Sequence, residues 1–472
     1  MLKSPFAFSL FTFAVVAALV VPALFMDGMF ADGILYASVS KNLANGFGTF
    51  WHPHFTVFVH DHFHEQPPLT FALQSLFFRI FGNNIYPERI YDLVMAILNA
   101  WLIAKIWKQL LKGNDLFAQH FWLPILLFFI SPMTFWSFDN NTIEITMSVF
   151  VLASVSAFIS VFTNEKNVVL HAALGILFLV AASLCKGFQG LFPLAVPFLF
   201  CICRWNVSWR RATFLTALIL FFLALFYALV LLSPSVREAY TSWFDGRMVS
   251  TFKGLNDTSG SHFHLLFELF LDLLPALSLL AIVFSLSRIF HFRNETQQLK
   301  RPIIFMLLLA LCGSLPLMVT KEQRGFYLLT SFPFYSIAIA LMIISPISAF
   351  CKKLENKKTL SFLSFVGFLL LIGVVIITFV NAGKPKRDAE WLADIRTTGN
   401  IIGSNNTVSS DDFIFNNWGV MNYYSRLYNI SLTTQTDIRG ADYFISSNEN
   451  APSGYVSIPL STNRIHLWKK GK

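Results

Sequence analysis

Titratable side chains crowd together near residue 60, where His60, Asp61, His62, His64 and Glu65 fall within six residues. The three histidines alternate with other residues, so an extended backbone would place their imidazoles on one face. Imidazole and carboxylate groups are ligands of divalent metal ions. The alternative interpretation is an aromatic-rich loop in which the histidines supply hydrogen bonds.

A second histidine pair, His262 and His264, lies in the sequence SHFH. Under the metal hypothesis these two imidazoles join His64 and Glu65 as ligands of one divalent ion. No other cofactor is expected from the sequence.

Acidic residues follow or precede several predicted helices. Asp27 and Asp32 follow the first apolar segment, and each is suited to capping a helix, since a carboxylate accepts from free N–H groups. Glu65 precedes a proline pair typical of a first turn, where the helix dipole favours an acid. Asp139 and Glu144, in FDNNTIE, predict a capping box, with a substrate contact as the alternative.

The amino-acid composition indicates the kind of secondary structure that positions these titratable side chains. Of the 472 residues, 55% are hydrophobic and 13% are charged, and 53 are phenylalanine. Average soluble domains carry about 25% charged residues, so most of this apolar surface must face lipid or other helices. The fold class predicted is an α-helical polytopic membrane protein.

The net charge of +9 does not indicate nucleic-acid binding, because the basic residues are scattered over short loops between apolar runs. The five cysteines lie in or beside apolar runs or in a basic loop, with no disulfide or zinc spacing.

Eleven segments are long and apolar enough to span a bilayer, which takes about 20 residues. They lie near residues 6–25, 90–111, 120–137, 142–162, 168–185, 188–204, 212–232, 264–290, 302–320, 326–348 and 359–381. With the N-terminus inside, the inner loops hold more Lys and Arg than the outer loops. Residues 67–81 are too short to cross and predict an interfacial helix, which leaves residues 26–89 outside.

The composition becomes polar after the last span. FIFNNWG, ISLTTQT, DYFISS and YVSIPL predict short strands, and DAEWLADIRTTG and VMNYYSRLY predict helices. We therefore expect two domains, a transmembrane domain over residues 1–382 and a small outer α/β domain over residues 383–472.

The ionisable groups concentrate at the outer boundary of the membrane rather than inside the spans. A lipid or polysaccharide transporter would place such groups near the bilayer midplane and show internal repeats. A non-catalytic membrane subunit with a partner-binding tail is a further alternative. The pattern favours a reaction at the outer membrane surface.

Five motifs in chain order resemble the GT-C glycosyltransferases, in the branch of aminoarabinose transferases and protein O-mannosyltransferases. They are ADGILYASVSKNLANGFGTFW, HEQPPLTFALQSLFFRIFG, YPERIYDLVMAIL, SLCKGFQGLFPLAVP and TKEQRGFYLLTSFPFYSIAIA. The family lysine before the proline pair is Gln66 here, and Thr330 replaces the proline after YLL. These departures indicate a divergent branch, so the substrate does not carry over from the named members.

The resemblance implies a GT-C bundle of about 11 spans that transfers a sugar from a polyprenyl-phosphate donor to a lipid, glycan or protein acceptor. It assigns Asp32 as the general base, with Asp27 as the second choice, and Glu65 as an orienting or ligating acid. The donor phosphate would contact five residues that match family positions: Arg89, Lys186, Lys321, Arg324 and Tyr327.

Several of these assignments have structural alternatives. Lys186 is suited to snorkelling toward lipid headgroups, and Arg89 to an ion pair with Glu88 or Asp92. The long segment 233–263 is expected to cover the donor site, with Arg237, Arg247 and Lys253 as contacts. We expect the acid and base groups to meet in one chamber on the periplasmic face of a bacterial inner membrane.

Overall fold

The computed structural model describes most of the chain, namely residues 4–164, 166–203, 205, 207–255, 257–291, 296–354, 356–434, 441–449 and 453–471. The last two residues of the predicted strand 430–436 lie outside this part.

Helices dominate the described residues. The α-helices are α1 Ser4–Leu24, α2 Ala31–Ala44, α3 Leu69–Phe81, α4 Pro87–Leu110, α5 Asp115–Ala118, α6 Trp122–Phe129, α7 Pro132–Asp139, α8 Ile143–Thr163, α9 Val168–Lys186, α10 Val196–Ile202, α11 Trp209–Val230, α12 Pro234–Trp243, α13 Ser250–Phe252, α14 His264–Ile289, α15 Lys300–Ser314, α16 Phe332–Lys353, α17 Lys357–Asn381, α18 Ala389–Ile402, α19 Asp412–Phe415 and α20 Trp418–Tyr428. Short 3₁₀ segments occupy Gly187–Ala195, Thr296–Leu299, Leu315–Val319 and Gly325–Thr330, and a π-helix occupies Phe244–Val249.

Nine continuous helical runs in the described part are long and apolar enough to cross a membrane. An apolar helix pair, Asp115–Phe129 and Pro132–Asp139, is bent by 77° and forms either a broken span or a re-entrant loop. The 13-residue helix α3 is too short to cross, and Ile80 on it is 72% exposed. Both observations agree with the predicted interfacial helix.

One of the nine runs is Val168–Ile202, and its contacts with α8 indicate that the chain turns back at Gly187. Lys186, at its middle, pairs with Glu144 at the start of α8, whereas Phe200 stacks on Phe162 near the end of α8, with ring centroids 4.5 Å apart. The return stretch begins in 3₁₀ form, which rises about 2 Å per residue, so 16 residues suffice to cross a core of about 30 Å. The described residues contain nine candidate spans, or ten if the bent pair is one span. The polytopic helical fold class is confirmed, and the predicted count of eleven is reached only if Val168–Ile202 crosses twice.

The C-terminal segment contains a five-stranded sheet of order β2-β1-β3-β5-β4. Its strands are β1 Thr407–Ser410, β2 Ser431–Thr433, β3 Tyr443–Ser446, β4 Tyr455–Ile458 and β5 His466–Lys470. β1 runs parallel to β2 and β3, whereas β5 runs antiparallel to β3 and β4, with Phe444 opposite Trp468. A small α/β fold is therefore confirmed.

The predicted strand FIFNNWG is wrong, because this stretch forms α19 and the start of α20. Asp411 accepts a hydrogen bond from the Ile414 N–H at 2.7 Å, and Asn417 accepts one from Val420 at 3.2 Å. These two caps start short helices in a sequence whose apolar alternation mimics a strand.

The chain divides into two compact units. The first, called here the helical unit, contains residues 1–22, 93–138 and 143–380. The second, called the outer-loop unit after the predicted outer loop that it contains, combines residues 23–92, 139–142 and 381–472. The boundary predicted between residues 382 and 383 stays a prediction.

Candidate functional site

Lys186 occupies the reversal point of the helical unit. It ends α9, and the next residue, Gly187, has a φ of +67° that favours glycine. The Lys186 ammonium forms an ion pair with Glu144, which is 1% exposed. It also lies 3.8 Å from the centroid of the Tyr327 ring, in a cation–π contact.

The Tyr327 hydroxyl connects Lys186 to a second ion pair. It donates to Glu322 Oε1 at 3.3 Å, and Glu322 also pairs with Arg247 and accepts from Thr251 Oγ1 at 2.5 Å. Burial, and next the Glu322 charge, raise the pKa of Tyr327, so the phenol keeps its proton at neutral pH. We call these side chains the Lys186 cluster: Glu144, Lys186, Arg247, Glu322 and Tyr327.

Two further predicted phosphate contacts are more exposed. The Lys321 ammonium lies 3.9 Å from Asp257 Oδ2, and its side chain is 42% exposed. Arg324 is exposed, and no ion pair to it occurs within the described ranges. Since the four charges of the Lys186 cluster balance, Arg324 is the cation at this motif best placed to gain an anion.

Segment 233–263 is largely helical rather than an open loop, with α12, the π-helix and α13 in succession. Trp243, at the end of α12, packs on Gly187, and Arg247 in the π-helix reaches Glu322. π-Helical turns occur often at functional sites. The segment therefore packs on the Lys186 turn, and its predicted position over the donor site stays a prediction.

The outer-loop unit holds a second set of ion pairs. Asp27 is buried, accepts from Gly28 N at 2.8 Å and pairs with Arg396. The Asp27 backbone also bonds to Lys384 O and Lys386 N. Asp27 thus connects the loop after α1 to the C-terminal segment and caps no described helix.

Arg89 is 2% exposed and donates to two carbonyls, Asp139 O at 2.8 Å and Gly28 O at 3.0 Å. Neither predicted partner, Glu88 or Asp92, forms an ion pair with it in the described part. Lys386 pairs with Asp139 instead, and burial lowers the pKa of Lys386 to about 8. The phosphate contact assigned to Arg89 stays a prediction.

The predicted capping roles of the acids are wrong. Helix α2 begins at Ala31, so Phe30 holds the N-cap position and the half-buried Asp32 lies one residue inside the first turn. Glu65 lies four residues before α3 begins, outside its first turn.

The predicted capping box at Asp139 and Glu144 is also wrong. Asp139 ends α7 and pairs with Lys386, Glu144 pairs with Lys186, and the Thr142 hydroxyl has no hydrogen bond. These acids meet cations from distant parts of the chain, so local spacing alone misassigned them.

The predicted metal-binding histidines lie in two separate groups of contacts. The rings of His52, His62 and His64 have centroids 4.8 to 5.9 Å apart, and His64 Nε2 lies 3.1 Å from His52 Nδ1. His262 contacts Met318 O at 3.1 Å, and His264 lies 3.5 Å from Glu268. No group of three or more His, Cys, Asp or Glu side chains in the described ranges is arranged to hold a metal ion. The predicted metal site at Glu65, His64, His262 and His264 stays a prediction.

Sequence reasoning missed three cations of the outer-loop unit, of which Arg426 and Lys41 are buried and Lys386 is half-buried. Arg426 forms a two-pronged pair with Glu88, at 3.1 and 2.7 Å. Lys41 donates to the carbonyls of Ser425 and Arg426, and burial lowers its pKa well below the usual value. The sequence did contain an indication of the role of Lys386. A basic run follows the last span on the predicted outer side, where the positive-inside rule disfavours Lys and Arg.

Both a family model and solved structures are similar to this chain. Residues 65–236 match a family model described as dolichyl-phosphate-mannose-protein mannosyltransferase. ArnT from Cupriavidus metallidurans, in its structure bound to undecaprenyl phosphate, has a TM-score of 0.67 at 13% identity. That match covers 97% of this chain and 96% of ArnT. This chain has the GT-C glycosyltransferase fold. The predicted resemblance is thereby confirmed.

Other solved structures share the GT-C fold. The apo ArnT structure of C. metallidurans has a TM-score of 0.64 at 12% identity, covering 97% of both chains. The apo oligosaccharyltransferase of Archaeoglobus fulgidus has a TM-score of 0.55 at 11% identity, covering 93% of this chain and 69% of its own. No curated protein sequence matches the chain.

The matched family region contains part of the predicted site. Glu65, Arg89, Glu144 and Lys186 fall within residues 65–236. Asp32 and the KEQRGFY segment fall outside it. The assignment of each residue to a role rests on the motif resemblance and the local geometry.

Proposed function

We propose that this chain is an integral membrane glycosyltransferase that transfers a sugar from a polyprenyl-phosphate donor to an acceptor. The observation that carries the proposal is the fold shared along nearly the whole chain with ArnT, whose structure holds undecaprenyl phosphate. The mannosyltransferase family match over residues 65–236 supports the same reaction class. The proposed location is a bacterial inner membrane, with the reacting groups on the periplasmic side.

The proposed reaction exchanges one bond for another at the anomeric carbon of the sugar. An acceptor oxygen attacks this carbon, and the bond to the phosphate oxygen breaks. The polyprenyl phosphate leaves with the bonding electrons. Asp32 accepts the proton of the acceptor hydroxyl as that hydroxyl acidifies during attack. Glu65 orients the acceptor.

The proposed phosphate contacts follow from charge and remaining hydrogen-bond capacity. Lys186 donates to Glu144, and an ammonium has three N–H groups, so donors remain for a phosphate oxygen. Tyr327 donates its only phenolic proton to Glu322, so a contact with the phosphate requires that this hydroxyl turns away from Glu322. Lys321 and Arg324 supply further positive charge. Arg89 uses donors on backbone carbonyls and acts through its charge.

A binding measurement tests the donor assignment. Purified protein in detergent is titrated with undecaprenyl phosphate, and the complex is quantified by native mass spectrometry. We expect Lys186→Met to weaken binding by tenfold or more, since a hydrogen bond to a charged group contributes about 1.5–3 kcal/mol. The matched control is Lys166→Met, a lysine in the exposed turn before α9, which should bind as the wild type does.

A second variant separates lost binding from misfolding. Lys186→Met leaves Glu144 buried without its partner, so Glu144→Gln/Lys186→Met removes both charges together. We expect this double variant to unfold close to the wild-type temperature and still to bind undecaprenyl phosphate weakly. Equal binding of undecaprenyl phosphate and uncharged undecaprenol by the wild type would contradict the donor proposal.

A further inference from the structure

A groove between two spans of the helical unit is not used by the proposed reaction. The last turns of α4 and the end of α8 enclose about 440 Å³. Lys105, Lys108 and Lys112 line it, together with polar residues of α8. These lysines recur at intervals of three and four residues, so they follow one face of the chain.

The floor of this groove is braced by hydrogen bonds between the two helices. Gln109 donates to Ser156 O at 3.1 Å and to Ser160 Oγ at 2.8 Å, while Ser156 donates to Gln109 Oε1 at 3.1 Å. The amide is therefore occupied in holding α4 against α8. These hydrogen bonds fix the spacing of α4 and α8 that forms the groove.

The lysines bring positive charge without a matching acid. No ion pair to them occurs in the described ranges, and the groove lining contains no carboxylate. The Lys105 and Lys108 ammoniums lie over the rings of Trp101 and Phe121, at 5.4 and 4.7 Å, and Lys112 donates to Thr163 O at 3.3 Å. Glu165 lies outside the described residues.

Along the axis of α4, the exposed side chains change from apolar to cationic in the same order as the parts of a phospholipid, from acyl chain to headgroup. Ile97 and Trp101 are each 57% exposed, and the lysines begin at residue 105. At 1.5 Å per residue, the change from aliphatic through aromatic to cationic side chains takes about 12 Å. This succession matches acyl chain, interface and headgroup, whereas a free phosphate ion needs only the cations.

We propose that this groove binds the headgroup of an anionic phospholipid, with an acyl chain lying along Ile97 and Trp101. The charge asymmetry of the loops places the groove at the inner leaflet. Basic pockets between spans on that side bind anionic headgroups. The site is separate from the proposed sugar transfer.

A lipid titration tests this site. Delipidated full-length protein is titrated with phosphatidylglycerol or phosphatidylcholine, and bound lipid is counted by native mass spectrometry. We expect preference for phosphatidylglycerol and a loss of about fivefold for each of Lys105→Gln, Lys108→Gln and Lys112→Gln. The combined variant should lose about 100-fold at an unchanged unfolding temperature.

A matched control removes the same charge elsewhere. Lys352→Gln, Lys353→Gln and Lys357→Gln together take three positive charges from another predicted inner loop, and should change affinity less than threefold. Equal losses of phosphatidylglycerol affinity in both triple variants would show general charge attraction and would overturn the proposed binding site. Absence of any wild-type preference, or full displacement of the lipid by inorganic phosphate, would also overturn it.

Discussion

At the level of single residues, the strongest test of the fold is substitution of one partner of the ion pair between Glu88 and Arg426. Its side chains are 4% and 5% exposed, and the guanidinium contacts both carboxylate oxygens. Removing one partner of a buried pair leaves an uncompensated charge and costs about 3–5 kcal/mol. We expect Arg426→Met to lower the unfolding temperature of the purified protein clearly, measured by intrinsic fluorescence.

An exposed pair in the same unit serves as the control. Arg464 and Glu390 form an ion pair at 2.6 Å, with side chains 51% and 58% exposed. Exposed pairs contribute about 0–1 kcal/mol, so Arg464→Met should barely change the unfolding temperature. Similar losses in both variants would show that burial of the Glu88 pair is not what stabilises this unit.

These residue pairs also show what the sequence cannot predict. Glu88 and Arg426 are 338 positions apart, and Asp139 and Lys386 are 247 apart. Spacing rules reach only neighbouring turns, so they assigned Asp139 to a local cap and offered Glu88 as a partner of the adjacent Arg89. Lys186 and Tyr327 were found because family motifs mark them, but the contacts of Lys186 with Glu144 and Tyr327 emerged only from the fold.

At the level of elements, the reversal at Lys186–Gly187 organises the helical unit. A Cβ on Gly187 would lie 2.5 Å from Cη2 of Trp243, at a φ of +67° that L-residues rarely adopt. Gly254 has a similar φ of +72° but no atom within 4 Å of such a Cβ. Alanine at either position therefore carries the same backbone cost, about 1–2 kcal/mol, but only Gly187→Ala adds a clash.

We expect Gly187→Ala to lower the unfolding temperature more than Gly254→Ala does, and to weaken undecaprenyl phosphate binding. Adding Trp243→Ala to Gly187→Ala should recover part of both losses, because the clash is removed. Equal effects of the two glycine substitutions would contradict the packing of segment 233–263 on the Lys186 turn.

Spans were the most predictable elements, because a membrane fixes their length and composition. Short elements were less predictable. Asp411 and Asn417 convert FIFNNWG into helix starts, and the strands β1 and β5 were not predicted at all. Their residues carry no strong alternation, so tertiary pairing decides their conformation.

At the level of the whole molecule, the topology predicts which segments share a side of the membrane. In a variant without native cysteines, Asp61→Cys and Ser261→Cys should react with an impermeant maleimide added outside intact cells. Asn164→Cys, in a predicted inner loop, should react only after permeabilisation. All three positions are exposed. Labelling of Asp61→Cys and Ser261→Cys from opposite sides would place the proposed acid and phosphate contacts in different leaflets.

The central claim is sugar transfer that depends on Asp32, and mass spectrometry of glycolipids and glycoproteins tests it most directly. Cells lacking the gene are compared with cells complemented by the wild type, Asp32→Asn or the exposed control Asp61→Asn. We predict that a product one sugar heavier disappears without the gene and returns with the wild type and Asp61→Asn only. Its return with a stably expressed Asp32→Asn, or no missing glycosylated product in the deletion, would contradict the account.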